Sequence, residues 1–270
     1  MAASAFSPAY LTCMFTIGEN DAAGAGFSLD AGLTTTVSER KGGRGRMLLN
    51  GAECELPVSK AVLRHYAKRG CEPGRLDIRH KTGIPVGFGL GMSAAGALSL
   101  SLALNEHLGA GFSRGECVKM AHDADVECGT GLSGADAEAM GGMLARRSLQ
   151  EPPIRLPFEE KGLEIAFFTP MKTSSIIKSA GWKSKVNKAG SAALEALFRK
   201  RNWDGLVASS RQFAQQSGLA GWCKEEMASN PRASMAMLGH TLFSDTPLSL
   251  PRKPFMLLSA KTANEGAKPL

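Results

Sequence analysis

The chain lacks any uninterrupted apolar stretch of about twenty residues, the length that a membrane-spanning helix needs. Residues Met1 to Ser7 have no basic region followed by an apolar run, so no secretory signal peptide is expected. The six cysteines form no Cys-x-x-Cys pair and have neither zinc-ligand spacing nor the density of a disulfide scaffold. These absences predict a cytoplasmic protein with reduced thiols and no membrane contact.

Aromatic residues are scarce, at 6% of the 270 residues, whereas the net charge is +7. A basic chain can bind nucleic acid, but stacking on bases needs aromatic side chains near the basic ones. The densest basic run, 40–46, contains no aromatic residue, and a solvated hairpin tip is the favoured interpretation of it. We therefore expect no nucleic-acid partner, and a positive field that attracts small anionic substrates. The histidines have no paired metal-ligand spacing and are expected to be structural.

Two groups of strands interleaved with helices are predicted, which places the chain in the α+β class. Strands are expected at 3–16, 27–37, 75–80, 163–168 and 255–259, and helices at 57–69, 93–108, 113–126, 191–199 and 206–215. Residues 21–26 are expected to form a loop of small residues. Ser113 is predicted to cap a helix, with Glu116 completing a capping box. Glu151-Pro152-Pro153 breaks the chain and marks the predicted domain boundary.

The most informative stretch is 85–98, Pro-Val-Gly-Phe-Gly-Leu-Gly-Met-Ser-Ala-Ala-Gly-Ala-Leu. Its three alternate glycines, Gly87, Gly89 and Gly91, allow tight turns and a close approach of the backbone to a ligand. The helix predicted to follow would direct its free N–H groups and positive dipole end at the loop, which suits a phosphate. The string has neither the lysine of a Walker loop nor the Gly-x-Gly-x-x-Gly spacing of a dinucleotide fingerprint. A turn capped by Ser93 before a buried helix is the alternative.

Segment 121–136 contains two candidate catalytic carboxylates, Asp125 before a glycine turn and Asp136 after it. Phosphoryl transfer needs a metal held against the phosphates, donors for the developing charge and sometimes a base for the attacking hydroxyl. A carboxylate at a helix end can bind Mg²⁺, and one beyond the turn can take the hydroxyl proton. The alternatives are a solvated helix-end carboxylate for Asp125 and a helix N-cap for Asp136.

The string Pro-x-Gly-x-Gly-Leu-Gly-x-Ser-Ala-Ala resembles the phosphate loop of the GHMP kinases, with Met92 replacing the first of two family serines and Ser93 matching the second. Ser133-Gly134-Ala135-Asp136 resembles the Ser-Gly-x-Asp motif of mevalonate kinases, and Asp125 stands at the position of the metal-binding carboxylate that precedes it. Pantoate kinases have Thr-Gly-Leu-Gly-Asp here, and an ungapped alignment places Gly134 at their aspartate.

Two further segments carry the resemblance. Residues 234–241, Ser-Met-Ala-Met-Leu-Gly-His-Thr, differ only at His240 from the Ser-Met-Ala-Met-Leu-Gly-Asn-Thr of the archaeal pantoate kinase branch; a buried helix or strand is the alternative. Residues 5–12 resemble the family's N-terminal segment, which lines the acceptor site, with Pro8 retained and Ala9 replacing a glycine. The loop at 24–26 also resembles the entry to the second strand of pantoate kinases, and a hairpin turn is its simpler explanation.

The resemblance implies the GHMP kinase fold, with an ATP-binding domain like domain 2 of ribosomal protein S5 over residues 1–152 and a ferredoxin-like domain over 153–270. It implies that ATP binds at Pro85, Gly87, Gly89, Leu90, Gly91, Met92, Ser93, Ala94 and Ala95. Ser93 and Asp125 would hold Mg²⁺. Ser93 and Asp136 would be catalytic, Asp136 as the base or as the electrostatic partner of the substrate hydroxyl. The implied acceptor is the hydroxyl of pantoate, giving 4-phosphopantoate for coenzyme A synthesis, and the family also allows a homodimer.

Other interpretations stay open. The acceptor could be mevalonate or homoserine, or the chain could be a nucleotide-binding regulator without catalysis, an idea motivated by Met92, Ala9 and the displaced aspartate. Segment 172–175, Lys-Thr-Ser-Ser, could reach a phosphate or could start a helix with Thr173 as its cap.

Overall fold

The computed structural model describes residues 2–19, 21–171 and 179–270. The strands within these ranges are β1 (Ala3–Ile17), β2 (Ala22–Glu39), β3 (Arg46–Leu49), β4 (Ala52–Glu53), β5 (Leu76–Thr82), β6 (Met143–Arg146), β7 (Ile154–Leu156), β8 (Gly162–Thr169), β9 (Ser234–Met235), β10 (His240–Ser244), β11 (Met256–Ala263) and β12 (Lys268–Pro269). The helices are α1 (Pro57–Ala67), α2 (Met92–Leu108), α3 (Arg114–Cys128), α4 (Gly134–Met140), α5 (Ala180–Arg199), α6 (Trp203–Ser217) and α7 (Lys224–Ser229).

The long antiparallel hairpin of β1 and β2 organises the sheet. From β2 the sheet continues through β5 and β3 to β4 on one side, and through β11, β8 and β10 to β9 on the other. The two parts join where Thr262 and Ala263, at the end of β11, pair with Leu29 and Ser28 of β2. This mixture of helices and a largely antiparallel sheet confirms the predicted α+β class, while the division at residue 152 stays a prediction.

Two clusters of buried side chains hold the helices to the sheet. One joins α1, α2 and α3 to β5 and contains Tyr66, Leu98 and Met120. The other joins β1, β2 and β8 to α5 and α6 and contains Phe27 and Phe167. Because Ala94 belongs to the first cluster and Ala95 to the second, the N-terminus of α2 lies where both meet. Burial on both sides fixes the position of this helix end.

Local sequence signals predicted several element ends correctly. Ser113 accepts a hydrogen bond from the Glu116 backbone N–H, and the Glu116 carboxylate accepts one from the Ser113 N–H, so the capping box at the start of α3 is confirmed. The predicted helix over 57–69 is α1, with Pro57 in its first turn. None of the helices within the described ranges has the length and apolar character needed to cross a membrane.

The predicted loop over 21–26 is wrong, because β2 begins at Ala22 and pairs with β1 through this stretch. Its glycines serve close packing between strands. A Cβ atom at Gly26 would lie 2.2 Å from the carbonyl oxygen of Leu11, and one at Gly24 would lie 2.6 Å from that of Met14. Glycines are typical of turns, but here they allow the backbone of β2 to lie close to that of its partner strand β1.

The basic run over 40–46 is exposed at its centre but is not a hairpin tip, because it connects β2 to β3 across β5, with which β3 runs parallel. Arg40 and Arg46 at its ends both bind the carboxylate of Asp77, at 3.0 and 2.9 Å. These ion pairs hold the pKa of Asp77 near 2, with the hydrogen bond from Arg46 as the main cause. The run therefore has a structural role at both ends.

Candidate active site

The glycine string forms a loop between β5 and α2 in which Gly87, Gly89 and Gly91 have φ angles of 89°, 85° and 70°. These left-handed values favour glycine over residues with a Cβ atom. The loop is also crowded: a Cβ atom at Gly91 would lie 2.5 Å from a carboxylate oxygen of Glu138. The predicted loop geometry is therefore present, and alanine at Gly91 would be both strained and obstructed.

Helix α2 begins at Met92, one residue earlier than predicted, and its N-cap is Gly91. No side chain caps this end, so the alternative of a turn capped by Ser93 is wrong. The first N–H groups of a helix have no partners inside the helix, and its dipole favours negative charge there. An uncapped helix N-terminus beside a glycine loop can bind a phosphate.

A cavity of about 500 Å³ opens over this helix end. Of the residues predicted to bind the nucleotide, those that line it are Gly87, Gly89, Leu90, Gly91, Met92, Ser93 and Ala94. Pro85 and Ala95, also predicted to bind the nucleotide, are absent from this lining, and Ala95 is fully buried. Met92 is buried as well, and its sulfur accepts a hydrogen bond from the Thr82 hydroxyl at 3.5 Å. The Met92 side chain therefore anchors the loop to β5.

Asp125 lies at the same cavity, near the end of α3, and is 3% exposed. Ser93 Oγ donates a hydrogen bond to Thr130 Oγ1 at 3.0 Å, and Thr130 Oγ1 donates to Asp125 Oδ1 at 2.5 Å. Burial raises the pKa of Asp125, and the hydrogen bonds from Thr130 and Ser93 oppose that rise. The structure thus brings Ser93 and Asp125 together as predicted, with Thr130 as a link that the sequence analysis missed.

A second buried carboxylate, Glu138 of α4, lies under the glycine loop. Its Oε2 accepts a hydrogen bond from Ser7 Oγ at 3.2 Å, whereas its Oε1 has no hydrogen-bond partner among the described residues. Burial, and then the charge of Asp125, raise the pKa of Glu138 well above its usual range. Burial therefore disfavours the ionised form of Glu138. No sequence signal marked this residue, because an Ala-Asp-Ala-Glu stretch is equally typical of a solvated helix.

Asp136 occupies a different cavity, of about 710 Å³, which shares Thr12, Phe15, Ala22 and Ser133 with the first. Its carboxylate lies 3.0 Å from His122 Nδ1 and is 53% exposed. This contact raises the pKa of His122. The N-cap of α4 is Ser133, so the alternative of Asp136 as an N-cap is wrong. The structure places Asp136 in the adjoining cavity and apart from Ser93 and Asp125.

Comparison with known proteins connects this geometry to a family. The model of the GHMP kinases N terminal domain matches residues 57–144, which include the glycine loop, Asp125 and Asp136. A pantoate kinase of Methanocaldococcus jannaschii is 31% identical over 88% of this chain and 90% of its own length. This chain belongs to the GHMP kinase family. A pantoate kinase of Thermococcus kodakarensis is 27% identical over 89% of this kinase and 86% of its own length.

Solved structures agree on the fold. A phosphotransferase related to the coenzyme A biosynthesis pathway superimposes with a TM-score of 0.81 at 22% identity, covering 100% of this chain and 98% of its own. A homoserine kinase from Cytophaga hutchinsonii superimposes with a TM-score of 0.64 at 17% identity, covering 100% and 97%. These likenesses confirm that the kinase has the GHMP fold over its whole length.

The second cavity of this kinase has several basic side chains at its wall: Arg114, Lys119, His122 and Arg146. Arg146 Nη1 lies 2.5 Å from Asp21 Oδ2, and Lys119 pairs with Asp123 on α3. No local sequence signal indicates that His122 and Arg146 share a site, because α3 and β6 meet only in the fold. This cavity can bind an anion next to the phosphate loop.

Segment 234–243 packs directly on the glycine loop. Thr241 Oγ1 donates a hydrogen bond to the carbonyl oxygen of Phe88 at 2.8 Å, and the Met237 N–H donates to that of Thr12 at 2.8 Å. A Cβ atom at Gly239 would lie 2.1 Å from the Phe88 oxygen. The segment forms β9, a turn and β10, and these contacts hold the glycine loop in place. The predicted segment 172–175 lies outside the described residues.

Proposed function

We propose that this GHMP kinase transfers the γ-phosphoryl group of ATP to the hydroxyl of pantoate, giving 4-phosphopantoate. The observation that carries the proposal is the pair of adjoining cavities, one with a helix N-terminus and a buried carboxylate, the other with basic side chains. A nucleotide triphosphate suits the first, and a small hydroxy acid suits the second. The names of the relatives in Methanocaldococcus jannaschii and Thermococcus kodakarensis support pantoate as that acid.

The donor's phosphates would lie against the uncapped N–H groups of α2, between Gly89 and Ser93. Positioning and stabilisation of charge contribute most of the catalysis in phosphoryl transfer, because the protein has little covalent chemistry to perform. Backbone N–H groups fixed by two packed core clusters act without reorganisation during the reaction. The glycine loop is thus proposed as the group that holds the charge developing on the transferred phosphoryl.

Ser93 and Asp125 fit a Mg²⁺ ion. Their oxygens are the hard ligands that Mg²⁺ prefers, and the buried Asp125 carboxylate has hydroxyl hydrogen-bond partners. In the part of the chain that the structure describes, no three His, Cys, Asp or Glu side chains form a metal-binding group. Such a site would be completed by phosphate oxygens and water, and the ion would supply neutralisation of phosphate charge.

The acceptor's carboxylate is proposed to bind Arg146 and His122 in the second cavity. Its hydroxyl would then face the boundary that Thr12 and Ser133 form with the first cavity, toward the γ-phosphate. Asp136, held by His122, is the proposed acceptor of the hydroxyl proton. This assignment places the base on the acceptor side, although an ungapped alignment with the pantoate kinase motif places Gly134 at its aspartate.

The test is ADP release from ATP and Mg²⁺ with pantoate, mevalonate and homoserine offered in parallel. We expect turnover with pantoate, and its loss in Ser93→Ala and Asp125→Asn. Turnover with another acceptor alone would reassign the substrate. ATP binding without turnover of any acceptor would support a nucleotide-binding regulator and refute the proposal.

A further inference from the structure

One end of the first cavity carries two buried polar groups that the proposed reaction does not use. This end is lined by Leu49, by 55–59 at the start of α1, and by His80 of β5. Ser59 is 5% exposed and His80 is 3% exposed, and Ser59 Oγ lies 3.0 Å from His80 Nε2. The Glu55 side chain is exposed and accepts a hydrogen bond from the Lys60 ammonium group. With the phosphates at α2, this largely apolar end is the place for the nucleobase.

A chain of hydrogen bonds runs from this end into the core, and its direction follows from counting protons. Ser99 Oγ donates to the carbonyl oxygen of Ala95 at 2.7 Å, and a carbonyl can only accept. Ser99 Oγ also lies 2.6 Å from Thr35 Oγ1. Since the single proton of Ser99 is already used, the Thr35 hydroxyl must donate to Ser99.

The next links are fixed in the same way. Thr35 Oγ1 lies 2.8 Å from His80 Nδ1, and because its proton points to Ser99, it accepts from a protonated Nδ1. Burial lowers the pKa of His80 to about 4, so the ring is neutral at pH 7 and carries one proton. Its Nε2 is therefore an acceptor, and the Ser59 hydroxyl donates to it.

Ser59 Oγ, its one proton used, can only accept a hydrogen bond from a ligand in the cavity. Adenine carries an N–H donor at C6, whereas guanine and hypoxanthine carry a carbonyl oxygen there. We propose that Ser59, oriented by His80, Thr35 and Ser99, selects 6-aminopurine over 6-oxopurine nucleotides. This inference rests on the proposed function, because it assumes that a nucleoside triphosphate occupies the first cavity.

The test measures nucleotide dissociation constants by titration calorimetry, with no acceptor present. Three triphosphates are compared: ATP, inosine triphosphate with a 6-oxo group, and purine riboside triphosphate with hydrogen at C6 and the same ring acceptor N1 as adenine. We expect ATP to bind at least about tenfold more tightly than inosine triphosphate, with the purine riboside compound between them. Equal binding of ATP and inosine triphosphate by the unaltered protein would overturn the inference without any variant.

Two variants assign the selectivity to the chain. Ser59→Ala removes the acceptor and should bring the ATP and purine riboside affinities together. In His80→Gln, the carboxamide N–H can donate a hydrogen bond to Ser59, which leaves the Ser59 hydroxyl proton free to donate to a 6-oxo group. Inosine triphosphate should therefore bind this variant more tightly than it binds the unaltered protein. Ser101→Ala is the matched control, because Ser101 is a buried serine of α2 that donates to the Cys117 carbonyl and does not line the cavity.

An ATP preference that both variants leave unchanged would refute the role of Ser59, and melting temperatures will show that the variants fold. Failure of ATP to bind at all would refute the proposed function as well. ATP binding without pantoate phosphorylation would refute the proposed acceptor alone. Loss of nucleotide selectivity and loss of pantoate phosphorylation are therefore distinguishable outcomes.

Discussion

Gly131 allows us to displace the Asp125 carboxylate without changing its chemistry. A Cβ atom at Gly131 would lie 2.0 Å from Asp125 Oδ2, and Cβ atoms essentially never approach a heavy atom closer than 3.0 Å. In Gly131→Ala the two groups must therefore separate by about 1 Å. Gly131 has no left-handed φ angle, so the expected effect is steric.

A displacement of about 1 Å at a catalytic group can cost roughly 10²-fold in rate. We therefore expect Gly131→Ala to reduce kcat for ADP release with pantoate by about 100-fold, while the melting temperature changes little. The matched control is Gly162→Ala at the start of β8, where an added Cβ meets no atom within 4 Å. This variant should keep the unaltered kcat.

The double variant Gly131→Ala/Asp125→Asn shows whether the alanine acts through Asp125. Effects on the same group do not add, so the double variant should be no slower than Asp125→Asn alone. A Gly131→Ala enzyme with unaltered kcat would refute the geometry of the site. Additive losses would refute the claim that the effect passes through Asp125.

Three further predictions follow from the same contacts. Asp125→Asn should lower kcat by about 10²–10³-fold. It should also raise the melting temperature at pH 7, because burial raises the pKa of Asp125 and ionisation of this carboxyl group therefore opposes folding. The gain in melting temperature should shrink as the pH falls toward 3.8, and a lower melting temperature at pH 7 would contradict the prediction. Asp136 raises the pKa of His122 above 6.5, so the KM for the acceptor should stay low until the pH exceeds that raised value and should then increase. The same dependence of KM on pH in His122→Gln would rule out binding of the acceptor by His122. Gly239→Ala should weaken ATP binding measured by calorimetry, because its Cβ would push the Phe88 carbonyl and the glycine loop, whereas Gly42→Ala, with no atom within 4 Å, should not.

The parts of the site that sequence reasoning predicted are those with local causes. A left-handed backbone angle requires glycine at the residue itself, and a helix start follows within a few positions, so the loop and α2 could be predicted. The Ser93 and Asp125 pairing came through the resemblance of two motifs. Pro85 and Ala95 were included because the motif is continuous, although Ala95 faces the core.

The parts that sequence reasoning missed depend on how elements pack. Glu138 is buried only because α4 lies under the glycine loop, and His122 meets Asp136 only because α3 lies beside α4. The glycines of β2 were interpreted as a loop because a turn and a close strand crossing require the same residue type. Distinguishing the two needs the partner strand, which a local pattern does not identify.

The site carries two acidic side chains in the core, and their coupling sets its charge. Asp125 and Glu138 are both buried, and the charge of Asp125 raises the pKa of Glu138. Burial and the charge of Asp125 therefore both disfavour the ionised form of Glu138, so a second negative charge beneath the α2 N-terminus is opposed. Two charges would repel a triphosphate at the helix end that is meant to bind it, whereas one leaves a place for a divalent cation between protein and phosphates. Burial of Glu138 thus keeps the phosphate site attractive to an anion at a cost in folding stability, which is the compromise expected where local rules of stability are broken for function.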